Sequence, residues 1–157
     1  MKRGSFKKPT YEEALAKKKA RKPLRASKSP VAKKKPKSKE KTQAQLKKEL
    51  DRVFSLYIRQ KYPAECYTCG KKDTALQCGH FVSRQYLATR WDENNCRPQC
   101  AGCNIFGNGK PLDFEERLKK ELGNDFVEKM KASRHQTLKL DRNWYKEQID
   151  YYNSLLV

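Results

Sequence analysis

The chain's chemistry is concentrated in one stretch. Cys66-Tyr-Thr-Cys69 and Cys100-Ala-Gly-Cys103 are two CxxC pairs separated by 30 residues. Each CxxC turn aims two thiolates at one point, and two such turns complete the tetrahedral sulfur shell that Zn2+ accepts with no open position. Disulfides are the first rival, disfavoured by a lysine-rich chain expected to be intracellular. A thioredoxin-like redox pair is the second, disfavoured because there are two pairs and no βαβ pattern around either. Cys78 and Cys96 stand outside this set and read as small buried residues, although Cys78 lies two positions before His80 and on a strand would share its face. His80, in "QCGHF", is one of only two histidines. Alone it suits a zinc ligand, a catalytic base or a half-buried imidazole. It lies between the two knuckles, with Asn95 five residues before Cys100 and Asn104 directly after Cys103.

The elements that must hold these residues follow from periodicity. From Thr42 onward Leu46, Leu50, Val53, Phe54, Tyr57 and Ile58 recur at spacings of three and four, which predicts a helix over 42–62 stopped by Pro63. All six cysteines and five of the seven glycines fall between Tyr62 and Lys110, the texture of a small module stapled by metal (63–110). Helical spacing returns over 111–157: "LDFEERLKKEL" runs to a C-capping Gly123, "DFVEKMKA" follows, and a last helix opens at an Asp141 N-cap. These segments make one α+β domain over 42–157.

Residues 1–41 differ in kind. They carry 17 Lys and Arg against 3 Glu and few large apolar residues, a composition that cannot bury enough surface to offset ordering entropy. A disordered basic arm is expected there, and the whole chain carries +19. Such charge calls for a polyanion, and nucleic acid is the commonest one. The run Lys33, Lys34 and Lys35 is a candidate phosphate contact, as are Arg84 and Arg90 beside the module. No apolar run reaches membrane-spanning length, and the N-terminus has no signal-peptide core. A cytoplasmic location with no membrane partner is the expectation.

"GHFVSR", "LATRWDE" and "QCAGCN" resemble the NinG/Rap recombination-protein family of lambda-like phages. The likeness extends over roughly residues 47–157 and leaves the arm outside. The same residues resemble the HNH, or ββα-metal, nucleases of the zinc-stapled endonuclease VII type. That resemblance implies a small ββα-metal (HNH-like) fold flanked by helices. It implies His80 as general base, Asn95 as the residue orienting its imidazole, and Asn104 as ligand to a divalent cation. It also implies a structure-selective endonuclease cutting branched recombination intermediates, such as Holliday junctions or D-loops, in the host cytoplasm beside phage recombination proteins. Many relatives carry Asp before the catalytic His; this chain has Gly79. Asp92 is then the first candidate for the missing carboxylate, ahead of Asp73 and Glu93, the other alternative being its replacement by a Cys78 or Gln77 contact.

The residue types suit phosphodiester hydrolysis. A neutral imidazole takes a proton from water near pH 7, and an amide oxygen suits Mg2+ or Mn2+ better than zinc. The two-fold symmetry of branched DNA favours a homodimer. The rival class is a non-catalytic zinc module binding DNA or RNA, as a recombination accessory or ribosome-associated protein. It needs the cysteines and the arm but assigns nothing to His80, Asn95 or Asn104.

Overall fold

The computed structural model describes residues 40–156, so residues 1–39 of the basic arm, with lysines 33–35, lie outside the described residues. Helix α1 spans Gln43–Lys61. Thr42 caps it, accepting from the Gln45 amide while the Gln45 side chain returns to the Thr42 amide, so two orphan donors are satisfied reciprocally. Its face of Leu46, Leu50, Val53, Phe54 and Ile58 is buried. After Tyr62 and Pro63 the first knuckle leads into strand β1 (Leu76–His80). A connection containing the single-turn helix α2 (Leu87–Arg90) and a 3-10 turn at Glu93–Asn95 brings the chain back as β2 (Cys96–Cys100). The two strands are antiparallel, with Leu76 opposite Cys100, Cys78 opposite Pro98 and His80 opposite Cys96.

Beyond β2 the chain makes a wide π-helical turn, Gly102–Phe106, before α3 (Pro111–Leu122), α4 (Asn124–Ser133) and α5 (Arg142–Ser154). An HNH-like reading expects a regular helix to begin at Asn104. Instead the Gly107 amide closes onto the Gly102 carbonyl at 2.7 Å, and Asn108, Gly109 and Lys110 all adopt positive φ. Three left-handed residues in a row cannot continue an α-helix. A Cβ on Gly107 would approach the Cys103 carbonyl to 3.0 Å, so glycine suits this tight closure.

Two clusters of side chains fix these elements. In the larger, α5 lays Tyr145, Ile149 and Tyr152 against α1, with Phe54 and Tyr152 meeting edge-to-face at 5.0 Å, and Trp91 and Cys96 closing it from the sheet side. Asp141 caps α5 by accepting from the Trp144 amide. In the smaller, Phe114, Leu118 and Val127 join α3 to α4 beneath Tyr67 and Phe81. Among the described residues no helix is long and apolar enough to cross a membrane.

Candidate metal centre and cleft

The four cysteines Cys66, Cys69, Cys100 and Cys103 come together with all sulfurs within 4.8 Å of one another, and the Cys69 and Cys100 sulfurs are 3.8 Å apart. The first knuckle is a tight backbone turn: the Gly70 amide donates to the Cys66 carbonyl at 2.8 Å, and Gly70 holds φ +70, which glycine adopts without strain. The second is the end of β2 passing into the π turn. Hydrogen bonding tunes the cluster unequally. Burial pushes the Cys66 thiol up, but the Thr68 hydroxyl and the Cys100, Cys69 and Thr68 amides outweigh it and leave it at about 6. Cys103, helped by Thr68 but buried and facing its three sister thiols, is pushed up to about 12. All six cysteines are free thiols. The shell fits a metal ion such as zinc, with Cys66, Cys69, Cys100 and Cys103 as its ligands.

Beside this cluster lies a cleft of about 620 Å³ whose walls include Gln77, Cys78, His80, Arg84 and Asn104. His80 ends β1. Its Nε2 lies 3.1 Å from the Arg90 carbonyl oxygen, which places the ring proton on Nε2, and the Cys78 carbonyl also approaches the ring. Burial lowers the pKa of the imidazole, and the positive charges of Arg90 and Arg84 add to the effect, so the ring is neutral at pH 7. Asn104 donates to Gln77 Oε1 at 2.7 Å, and its own Oδ1 accepts no hydrogen bond among the described residues. Arg84 lies at the same opening.

Asn95 is placed differently from the expectation. It is fully buried, and its amide grips the backbone of the connection: Oδ1 accepts from the Val82 amide at 2.7 Å, and Nδ2 donates to the Val82 and Thr89 carbonyls at 3.0 and 2.8 Å. It touches the loop that carries the Arg90 carbonyl, and that carbonyl meets the imidazole. Asn95 itself makes no hydrogen bond to the imidazole.

Arg90 is also turned inward. It forms a two-armed pair with Asp51 at 2.8 and 2.6 Å and donates to the Arg84 carbonyl, so its donors are spent holding α1 to the connection. Of the two candidate arginines, Arg84 alone faces the cleft. Asp92 is absent from the cleft as well; it caps the Glu93–Asn95 turn by accepting from the Asn94 amide at 2.9 Å. Glu93 accepts from the Tyr57 hydroxyl at 3.0 Å and pairs with Lys61. A smaller adjoining pocket of about 230 Å³, which shares Gln77, Cys78, His80, Arg84 and Asn104 with the cleft, has a carboxylate on its wall, Asp51, a residue that the sequence does not single out; it is occupied by Arg90 and by the Trp91 indole at 3.0 Å. Its partners lie about 40 positions away in the chain, and no local pattern in the sequence marks such a pair.

Gly79 has a structural cause. A Cβ there would stand 2.1 Å from Gln99 Oε1 and collide with the whole Gln99 amide, whose Nε2 is tied to the Thr68 hydroxyl at 3.2 Å and the Gly109 carbonyl at 2.9 Å. The side chain of Gln99 fills the space that any residue at position 79 would need.

Fold and site thus define a small α+β protein built on a two-stranded sheet and a four-cysteine cluster able to hold a metal, with a histidine cleft alongside. The model of the bacteriophage lambda NinG protein family matches residues 2–156, and the chain belongs to that family of phage recombination-related proteins. The match corrects the extent expected from the motifs: it begins at residue 2, so the basic arm lies inside the family's reach. No curated protein and no solved structure matches the chain.

Proposed function

We propose that the chain is a DNA endonuclease with an HNH-like centre that hydrolyses phosphodiester bonds in branched recombination intermediates, Holliday junctions or D-loops. The observation that carries this reading is His80, kept neutral and hydrogen-bonded through Nε2 to the Arg90 carbonyl, on the wall of a cleft shared with Arg84 and Asn104. In the reaction Nδ1 takes the proton of the attacking water while the new oxygen–phosphorus bond forms and the bond from phosphorus to the leaving sugar oxygen breaks, that oxygen taking a proton from solvent water. Arg84 holds a non-bridging phosphate oxygen, and its charge opposes the negative charge that accumulates on phosphorus. Asn95 keeps the imidazole in register by fixing the loop that presents the Arg90 carbonyl.

Mg2+ or Mn2+ bound with the phosphate would neutralise transition-state charge. The protein donors that face the cleft for such a hard ion are the amide oxygens of Asn104 and Gln77; the Asp51 carboxylate there is already paired. That donor set is incomplete without the substrate's own oxygens, and no step here is assigned to the ion.

Cleavage of a synthetic four-way junction in the presence of Mg2+ or Mn2+, by wild type and by His80→Ala with folding and cysteine-bound metal verified, is the test. Wild type should nick the junction, and His80→Ala should lose about 100-fold or more in rate. Equal rates would remove His80 from the chemistry. A wild type that binds junctions yet nicks none of them under any divalent cation would make the chain a DNA- or RNA-binding recombination accessory.

A further inference from the structure

Cys78, His80 and Cys96 form a second set of convergent ligands, and we propose that they bind a thiophilic divalent cation, with Zn2+ as the natural occupant. The sheet register builds the set. His80 stands directly across from Cys96, and Cys78, two residues before His80, projects from the same face. One sulfur or ring nitrogen from each lies within 4.8 Å of the other two. Cys96 is fully buried beneath the cleft, whereas Cys78 and His80 are half-buried on its wall.

The character of the donors decides which ion. Two thiols and an imidazole are soft ligands that select zinc, cobalt or similar ions over Mg2+, and the same cleft has no uncommitted carboxylate to favour a hard ion. Ligand number decides the type of site. The four-cysteine shell is closed, but this one has three protein donors and opens onto solvent, so a water or an anion takes the fourth place. The second layer is already present. A metal-bound imidazole characteristically gives its other ring N–H to a backbone carbonyl, as His80 Nε2 does to Arg90, leaving Nδ1 for the ion.

Occupancy has a consequence that rests on the nuclease reading. A cation on Nδ1 takes the lone pair with which His80 would accept the proton of water, so the bound ion and the base exclude each other. Availability of zinc would thereby set the fraction of molecules with a working base. The binding itself requires no cleavage to be observed.

The full-length, reduced protein with its four-cysteine site filled by Zn2+ is titrated with Co2+, and total metal is counted after gel filtration from excess Zn2+. Wild type should bind a second equivalent, visible as the intense d–d absorption of tetrahedral cobalt with a thiolate-to-cobalt charge-transfer band. A large excess of Mg2+ should leave that spectrum unchanged. Cys78→Ser should lose the second equivalent and keep the first. Should that variant fold poorly, His80→Gln, which leaves every thiol in place, carries the comparison: it should keep the first equivalent and bind the second at least tenfold more weakly. Saturation of wild type at one equivalent would overturn the proposal. So would displacement of cobalt by Mg2+, or a folded Cys78→Ser or His80→Gln that holds the second ion as tightly as wild type. None of these outcomes depends on whether the junction is cut.

Discussion

At the scale of single residues, Gly79 shows how a position can be set by space alone. A residue bearing a Cβ would drive into the Gln99 amide, which is buried and tethered at its nitrogen by Thr68 and Gly109. Gly79→Ala should therefore cost about 1–3 kcal/mol, the ordinary range for overpacking a filled interior. Gly79→Asp, which installs a carboxylate directly before His80, should cost more and should not enable tighter Mn2+ binding. Denaturant midpoints at constant slope measure the first effect. Combining Gly79→Ala with Gln99→Ala should cost less than the sum of the single changes, because the truncated side chain vacates the clash. Strict additivity would show that Gln99 is not the obstacle.

At the scale of elements, an ion pair joins β2, which ends in the four-cysteine cluster, to α3. Arg97, 1% exposed, pairs with Glu121 at 2.6 Å and stacks between the rings of Tyr62 and Tyr67, and Tyr67 donates its hydroxyl to the same carboxylate at 2.8 Å. Tyr67 also joins the first knuckle to β2 through its amide on the Pro98 carbonyl. Removing the carboxylate strands a buried guanidinium, so Glu121→Gln should destabilise the fold by about 2 kcal/mol at pH 7, less than for a fully buried pair because Glu121 is 40% exposed. Burial pushes the Glu121 carboxyl up, but Arg97 and Tyr67 outweigh it and hold it below the usual range. A depressed carboxylate stabilises the fold above its unfolded pKa of about 4.3 and loses that contribution as pH falls through its folded value. The gap between wild type and Glu121→Gln should be constant from pH 7 to about 5 and close below about 4; a gap independent of pH would refute the assignment.

The elements also show what was legible in the sequence. The α1 face, the Asp141 cap and the CxxC pairs are local patterns, and each is present where its spacing put it. The Asp51–Arg90 pair, the Asn95 clamp and the Gln99 plug depend on segments that meet only after the sheet has formed. The π turn was missed for another reason: "CNIFGNG" has a helix-compatible start, and only the left-handed run that follows it decides the geometry.

At the scale of the whole molecule, charge is divided unequally along the chain. Residues 42–157 carry a modest excess, some of it spent internally, as with Arg90 and Arg97; the first 41 residues carry net +14. The family match includes that segment from residue 2 onward. Affinity for a phosphate backbone grows by counterion release, and log K falls with log salt by about 0.9 for each duplex phosphate neutralised. A chain without residues 1–41 should therefore bind junction DNA more weakly at low salt and show a slope flatter by several such units. It should still take up metal at the four cysteines, whose ligands all lie in the folded part. Once the shorter chain is saturated with DNA, its cleavage rate should match that of the full chain, since His80, Arg84 and Asn104 are untouched. Fluorescence anisotropy across a salt series reads the slope, and single-turnover nicking at saturation reads the chemistry. An unchanged slope would show that the arm makes no phosphate contacts. A flatter slope with an equally reduced saturated rate would show instead that the arm helps place the scissile phosphate in the cleft.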